Sequence, residues 1–594
     1  MKFFSQISQP SMPLTSRQVE KAHQRIDLSA RRDFWLMLLL FTAFRAMALL
    51  AFRPGGLVLD FSDFYWYREF AQLTRQGYYP YVNLWTTYPP LFPYLMIGVW
   101  WVSTLLPPWE FPNLWFTLLL GSVFLLFEVG NLVLLYAIAA RMDDARDALR
   151  TVWFYGLLFV PVYTLTGWFE SYPLFFFLLG LYWLLRGRPL WSAVASGLGF
   201  MIKLIPVVLL PIGLRTSRTE KRLVALPYLN FRFDPLHAAL YLGAFVLTVI
   251  LIGLPFYLLN PRLVWGSFVI SNARAPWETV WALLEGRYDY GIIPLDMRDL
   301  SWQPTAAIGH LPWPLITLVF AAIFLFIYTR PVEWQQPRNV VAFAGFAVCL
   351  FMLYSKGYSP QWLGWVLVFI ALLLPNLRGV FYAVVSSWVN LIEANIFFII
   401  VPDEHWLLIL TVGIRTLIFV MVGLECLFIL FPAWFGKRVQ RFWHHLVIGL
   451  VILLLISGVV AGVRFVHAYF DVRYQLSPYR ATIEVLRAES QANMALILTS
   501  YDHRTYDWLY PFLRDRLTFY MLDDYTPPGD SVTARTQALM DEIVRHHRAA
   551  WFFDNNPKER SPSEQAMSKW LAGHAELESV RDIDGGRLHR FRFR

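Results

Sequence analysis

Long apolar runs broken by short polar clusters dominate most of this chain. A helix needs about 20 apolar residues to cross a bilayer. The runs predict spans at roughly 34–52, 113–139, 151–167, 171–185, 237–258, 313–329, 339–355, 359–375, 379–401, 406–431 and 445–466. Two further stretches are interrupted. Residues 89–107 carry Pro89, Pro90, Pro93 and Pro107, with Pro108 following. Those prolines suit a segment that lies along the membrane or re-enters it, held against protein. Residues 190–214 carry Lys203 and Pro206 in their middle, which predicts two short half-helices broken near that point. From about His467 the pattern changes. Strand-like runs at Ala495–Thr499, Leu517–Leu522 and Ala550–Phe553 alternate with helical stretches at Tyr479–Glu489, Ser531–His547 and Ser563–His574. Leu577–Phe593 predicts a hairpin turning at Asp584-Gly585-Gly586. Together these patterns predict a polytopic α-helical membrane protein with about 13 transmembrane helices and a small C-terminal α/β domain. The predicted boundaries are 1–33 for an N-terminal segment, 34–466 for the membrane domain and 467–594 for the α/β domain. Within the membrane domain, 53–112 is a first outer loop with juxtamembrane helices.

Composition supports the membrane assignment. The chain is 57% hydrophobic and 16% charged, whereas soluble domains average about 25% charged residues. The net charge of +9 is no nucleic-acid signal, because the basic residues sit in short clusters between spans. Such clusters set orientation. Arg17, Lys21, Arg25, Arg31 and Arg32 place the N-terminus in the cytoplasm, and the segment 53–88 then lies outside. With 89–107 not crossing and 190–214 returning to its starting side, the Arg141–Arg150 loop, the Arg215–Arg222 cluster, Arg330, Arg338 and Arg378 all fall inside. The C-terminal domain falls outside. The expected location is the cell membrane, multi-pass. The N-terminus lacks the features of a cleavable signal, with about 33 polar residues before the first apolar run. Cys349 and Cys426 both lie in apolar runs and make no metal-ligand spacing. No P-loop or G-x-G-x-x-G sequence occurs in the C-terminal domain, so a nucleotide site there is unsupported.

The most informative segment is the first outer loop. It reads Asp60-Phe-Ser-Asp63-Phe-Tyr-Trp-Tyr67, then Gly77-Tyr-Tyr-Pro80-Tyr81, then Tyr88-Pro89-Pro90-Leu91. A loop this long and aromatic is more than a connector. Its aspartates, just past the first span, suit a general base or an oxygen ligand set for a divalent cation. A solvated acidic pair at a helix start is the plainer alternative. Arg45, Glu128, Glu393, Arg415 and Glu425 lie deeper, where charges are functional candidates or pair with one another.

The order of these motifs resembles the first outer loop of GT-C superfamily glycosyltransferases, above all the polyprenyl- or dolichyl-phosphate-mannose-dependent mannosyltransferases and related bacterial enzymes. Gly167-Trp-Phe-Glu170-Ser-Tyr-Pro173 is similar to the family's G-x-[FW]-[DE]-S-x-P. Gly197-Leu-Gly-Phe-Met-Ile-Lys203-Leu-Ile-Pro206 is similar to its G-x-x-x-K-x-x-P break. Asn272–Trp281 resembles a recurrent outer-loop segment, and Tyr354–Gln361 a later mouth. The resemblance covers roughly residues 34 to 375.

The resemblance implies a GT-C fold and transfer of a sugar, mannose or another hexose, from a polyprenyl-phosphate donor to an acceptor hydroxyl outside the membrane. It implies Asp63 as the catalytic carboxylate, Asp60 as the runner-up and Glu170 as a second acid. Lys203, Lys356 and Arg274 are the candidates for the donor phosphate, although a lysine near a span end also snorkels to headgroups. Tyr67, Tyr81 and Tyr88 are the substrate-binding candidates. The implied partners are the lipid-linked donor, a glycan, lipid or protein acceptor, and the bilayer. A Mg or Mn ion is compatible with the aspartate pair and is not required by it. A transporter or flippase is the competing class. It expects an internal repeat, which the chain does not display, and does not account for the outer loop and outer domain.

Overall fold

The apolar runs fold as helices in this computed structural model. It describes residues 16–51, 63–84, 86–107, 114–216, 224–226, 231–266, 274–289, 291, 309–398, 404–436, 438–439, 441–450, 452–453, 456, 479–491, 493–499, 509–510, 512–522, 534–554, 562–583 and 586–593. Among these residues six helices are long and apolar enough to cross a membrane: Arg31–Ala51, Leu114–Met142, Pro235–Leu259, Pro337–Tyr354, Leu377–Phe397 and His405–Leu430. A seventh crossing arises if Ala145–Gly156 and Phe159–Leu165, bent by 56°, count as one. The expected number of about 13 crossings is therefore not reached among the described residues. Several predicted spans fold as shorter helices, such as Ser171–Leu185 with 15 residues and Trp313–Tyr328 with 16. Such helices reach about 22–24 Å at 1.5 Å per residue, less than the roughly 30 Å hydrocarbon core. The predicted run 445–466 lies mostly outside the described residues.

Neither interrupted stretch forms one long helix. Leu91–Ser103 is a helix of 13 residues, too short to cross. Helices Ser16–Ala51 and Leu114–Met142 run antiparallel. The Phe34 ring stacks on Tyr136 at 4.2 Å near one end, and Leu49 packs on Gly121 near the other. The segment between them thus begins and ends on one face. The second stretch is a helical hairpin. Pro189–Phe200 climbs to Lys203, a 3-10 turn follows at Ile205–Val208, and Leu209–Arg215 returns. Leu209 comes back level with Ser192 and Ser196, since all three pack around Gly180. Pro206 has no N–H to continue the ladder, and Gly199 leaves room for its ring.

Arginines gather at the end opposite Lys203. Arg141 donates to the Leu185 carbonyl at 3.5 Å, Arg338 pairs with Asp143 at 3.3 Å, and Arg215 lies over Tyr328 and Trp334 at 5.5 and 5.4 Å. The deep charges are all paired: Arg45 with Glu128 at 3.6 Å, Arg415 with Glu393 at 2.5 Å, and Glu425 with Arg378 at 2.8 Å. Pro235–Leu259 keeps only 11% of its apolar window buried and shows Leu240, Leu247, Leu251 and Leu258 outward. A helix that exposes leucine on this scale meets lipid, not water.

The C-terminal residues form a five-stranded sheet in the order Leu517–Leu522, Met494–Thr499, Ala549–Asp554, Gly586–Phe593, Ala575–Ile583. The first three strands are parallel; Gly586–Phe593 pairs antiparallel with Ala549–Asp554, and Ala575–Ile583 pairs antiparallel with Gly586–Phe593. Alternation divides the apolar residues between the faces. Leu496, Leu498, Trp551 and Phe553 pack on one side, and Ala495, Ile497, Ala550 and Phe552 on the other. The hairpin forms where the sequence predicts it, with Asp584 and Gly585 outside the described residues.

Candidate active site

Three chain segments meet at the mouth end of the membrane domain. The first is the loop helix Phe64–Gln72, which begins directly after Asp63. The Asp63 N–H donates to the Gly167 carbonyl at 3.1 Å, which ties the loop to the second segment, the turn before Ser171–Leu185. Glu170 sits immediately ahead of that helix, and Pro173 in its first turn costs no hydrogen bond. The third is the hairpin break. Its carbonyls and amides wind tightly, with Lys203 N–H on Gly199 O at 2.9 Å, and Met201 O accepts from Leu91 N–H of the first loop at 3.1 Å.

Asp63, Glu170 and Lys203 converge. Lys203 Nζ pairs directly with Glu170 Oε1, and the other Glu170 oxygen accepts from Trp365 Nε1 at 2.8 Å. The ammonium lies 5.1 Å from the Phe169 ring and 4.6 Å from that of Trp362. Glu170 is 3% exposed and Lys203 9%, so the pair is largely dry, where charge interactions are strong. Asp63 accepts from the Tyr67 hydroxyl at 3.3 Å and from Trp168. Burial pushes its carboxyl up to about 7; the Tyr67 hydrogen bond and Lys203 oppose that rise, while Glu170 adds to it.

The other expected residues divide. Tyr88 meets Phe169 edge-on at 4.9 Å, within reach of Tyr67 at 6.4 Å. Tyr81 donates to the Tyr88 carbonyl and lies against Phe256 at 5.6 Å. It is 3% exposed, so its visible part is to hold the Tyr88 turn. Arg274 covers the Trp277 ring at 3.8 Å and donates to the Gly291 carbonyl, and its charge acts on Tyr88. Lys356 belongs to a different rim. Its ammonium is 4.9 Å from the Trp313 ring, and Glu285 acts on its charge. Asp60 lies outside the described residues. Among the described residues no three His, Cys, Asp or Glu side chains gather as a metal site.

Four participants escaped the sequence reading: Trp168, Trp365, Tyr163 and the carboxyl of Glu278. The segment around Glu278 pairs with the turn 356–359. Trp277 N–H donates to Lys356 O at 3.3 Å, Tyr358 N–H to Trp277 O at 3.1 Å, and Thr279 Oγ1 to Lys356 O at 2.9 Å. Glu278 is 1% exposed with φ of +50°. Its carbonyl accepts from Arg415. Burial, then the Glu393 charge, holds its carboxyl well above the usual range. Glu278 was quoted only as part of a motif; its positive φ, a backbone strain that often marks function, has no signature in the sequence.

An apolar groove adjoins the break, lined by Tyr81, Tyr88, Pro89, Met201, Leu204 and Phe256. Phe256 belongs to the lipid-facing helix Pro235–Leu259.

No protein-family model matches the chain, and no curated protein matches it in sequence. Among solved structures it is similar to ArnT from Cupriavidus metallidurans, crystallised with undecaprenyl phosphate. Identity is 13%, coverage 94% of this chain and 97% of that one, and the TM-score 0.39. It is also similar to the Archaeoglobus fulgidus oligosaccharyltransferase in its apo form, at 10% identity, 86% and 69% coverage and a TM-score of 0.33. A third is the same organism's oligosaccharyltransferase AglB with an inhibitory peptide and a dolichol-phosphate, at 11% identity, 88% and 70% coverage and a TM-score of 0.30.

Proposed function

We propose that this chain is a membrane glycosyltransferase that moves a hexose, mannose or another, from a polyprenyl-phosphate donor to an acceptor hydroxyl on a glycan, lipid or protein. The observation that carries the proposal is the meeting of Asp63 with the Glu170–Lys203 pair at the break of a helical hairpin, beside an apolar groove open toward a lipid-facing helix.

The chemistry follows from the parts. The acceptor oxygen attacks the anomeric carbon while the bond from that carbon to the phosphate oxygen breaks, and the lipid phosphate leaves with the electron pair. Asp63, ionised, takes the acceptor's proton. Tyr67 and Trp168 hold its carboxyl, so little reorganisation is needed during the reaction. Lys203 spends its charge on Glu170 in the free enzyme. A donor phosphate arriving at the break shares that ammonium and draws on Arg274 across Tyr88. The prenyl chain lies in the groove lined by Tyr88, Leu204 and Phe256.

Substituting Asp63→Asn keeps the shape and removes the base. We expect transfer from radiolabelled polyprenyl phosphomannose to fall by about 100-fold or more while expression and folding persist. Full activity in that variant removes Asp63 from the site.

A further inference from the structure

The region behind Asp63 holds polar groups that the mechanism above does not use. Tyr163 lies on Phe159–Leu165, just past the 56° bend. Its ring packs on Trp168 at 4.7 Å, and Trp168 is a donor to Asp63. Tyr163 is 1% exposed, and its hydroxyl has no hydrogen-bond partner among the described residues. Buried hydroxyls are nearly always paired, because an unpaired one costs free energy. The same hydroxyl is within electrostatic reach of both Asp63 and Glu278.

Glu278 stands on the facing segment. Five contacts hold it in its strained conformation: the three hydrogen bonds joining 277–279 to 356–358, the Arg415 bond to its carbonyl, and Trp277 packed against Gly357. Strain of this kind persists only where surroundings enforce it. Glu393 comes from the π-helical turn Ile392–Phe397, a deformation frequent at functional sites. Ala394 of that turn packs on Tyr163 and Trp168. Glu278 and Glu393 face one guanidinium, that of Arg415, and each keeps one carboxyl oxygen without a partner among the described residues. Burial favours the neutral Glu278 carboxyl, which hydrogen-bonds to Glu393, so the Glu278 oxygen left over can accept from a sugar hydroxyl.

We infer that Tyr163 and Glu278 form a hydroxyl-binding subsite beside Asp63, in which Glu278 accepts from, and Tyr163 donates to, one hydroxyl of the sugar being transferred. This rests on the glycosyl-transfer proposal above. Arg415 and Glu393 are positioning residues that hold Glu278 in place.

Tyr163→Phe separates binding from folding. Its hydroxyl has no partner among the described residues, so its loss leaves the thermal midpoint unchanged or raises it. The experiment measures kcat/KM of the full chain in liposomes with polyprenyl phosphomannose, or the glucose form if the wild type prefers it, and with its monodeoxy analogues. The wild type should discriminate against one analogue by about 100-fold or more, as a site built to bond a hydroxyl does. Tyr163→Phe and Glu278→Gln should each lower kcat/KM for the full sugar about tenfold or more. Both should narrow the preference over that analogue to a few-fold, the sign of a lost pairwise contact. Wild-type kcat/KM and wild-type discrimination in both variants, with Asp63→Asn inactive, overturns the subsite and leaves the glycosyl-transfer proposal standing. Full activity in Asp63→Asn overturns that proposal and the subsite with it.

Discussion

Asp63 illustrates what one residue's surroundings add to its type. An aspartate in an outer loop would ordinarily ionise near pH 4. Here burial outweighs the Tyr67 hydrogen bond and the nearby ammonium and pushes the carboxyl up to about 7. The sign for catalysis follows: below that value the carboxyl carries a proton and cannot accept another, and above it the base is ready. We expect kcat/KM, which reports the free enzyme, to rise about tenfold per pH unit up to near 7 and then level. A limb centred near 4 would show that Asp63 is not the titrating base. Asp63, Glu170 and Lys203 were legible one by one, because each stands in a short motif with a characteristic spacing. That Lys203 would pair with Glu170 was not, since 33 residues separate them. Trp365, at 195 residues from Glu170, carried no local signal.

At the scale of elements, breaks and turns build the site more than regular helix does. The hairpin from Pro189 to Arg215, the bent pair around Gly156 and the π-turn at Ile392–Phe397 each bring backbone or charge to the same mouth. Prolines and Lys203 revealed the first of these in the sequence; nothing there announced the other two. The segment carrying Glu278 depends on a close fit. A Cβ on Gly357 would meet the Trp277 ring at 2.1 Å, and a Cβ on Gly291 would meet it at 2.8 Å. The indole therefore has nowhere to move. We expect Gly357→Ala to destabilise the protein by about 1–3 kcal/mol, the usual cost of overpacking, and to lower transfer by displacing Glu278. An unchanged melting midpoint with unchanged transfer would show that Trp277 does not hold this segment.

For the whole molecule, the arrangement of charge is the organising fact. Arg141, Arg215 and Arg338 lie at the end opposite Lys203, and the basic loops assigned to one side by the sequence do meet there. From the positive-inside tendency we propose that this end is cytoplasmic and that the mouth and the C-terminal sheet lie outside. A cysteine at Glu576, an exposed position of the edge strand Ala575–Ile583, tests this with little background, because Cys349 and Cys426 are buried. We expect labelling by an impermeant maleimide on intact cells. Labelling only after the membrane is opened would reverse the orientation.

Hydropathy, proline placement and strand alternation are local properties of the chain. They were enough to specify a membrane protein with interrupted helices, a sheet-bearing C-terminal part, and the loop and break that carry Asp63, Glu170 and Lys203. Crossing number and partnership were decided elsewhere. Whether an apolar run spans or turns back depends on whether other helices shield its exposed carbonyls and amides, and which acid meets which base depends on contacts between residues far apart in the chain. The first loop therefore stood out by its residues, while the setting of its aspartate, held by Tyr67 and Trp168 beside a dry Glu170–Lys203 pair, exists only once the chain has folded.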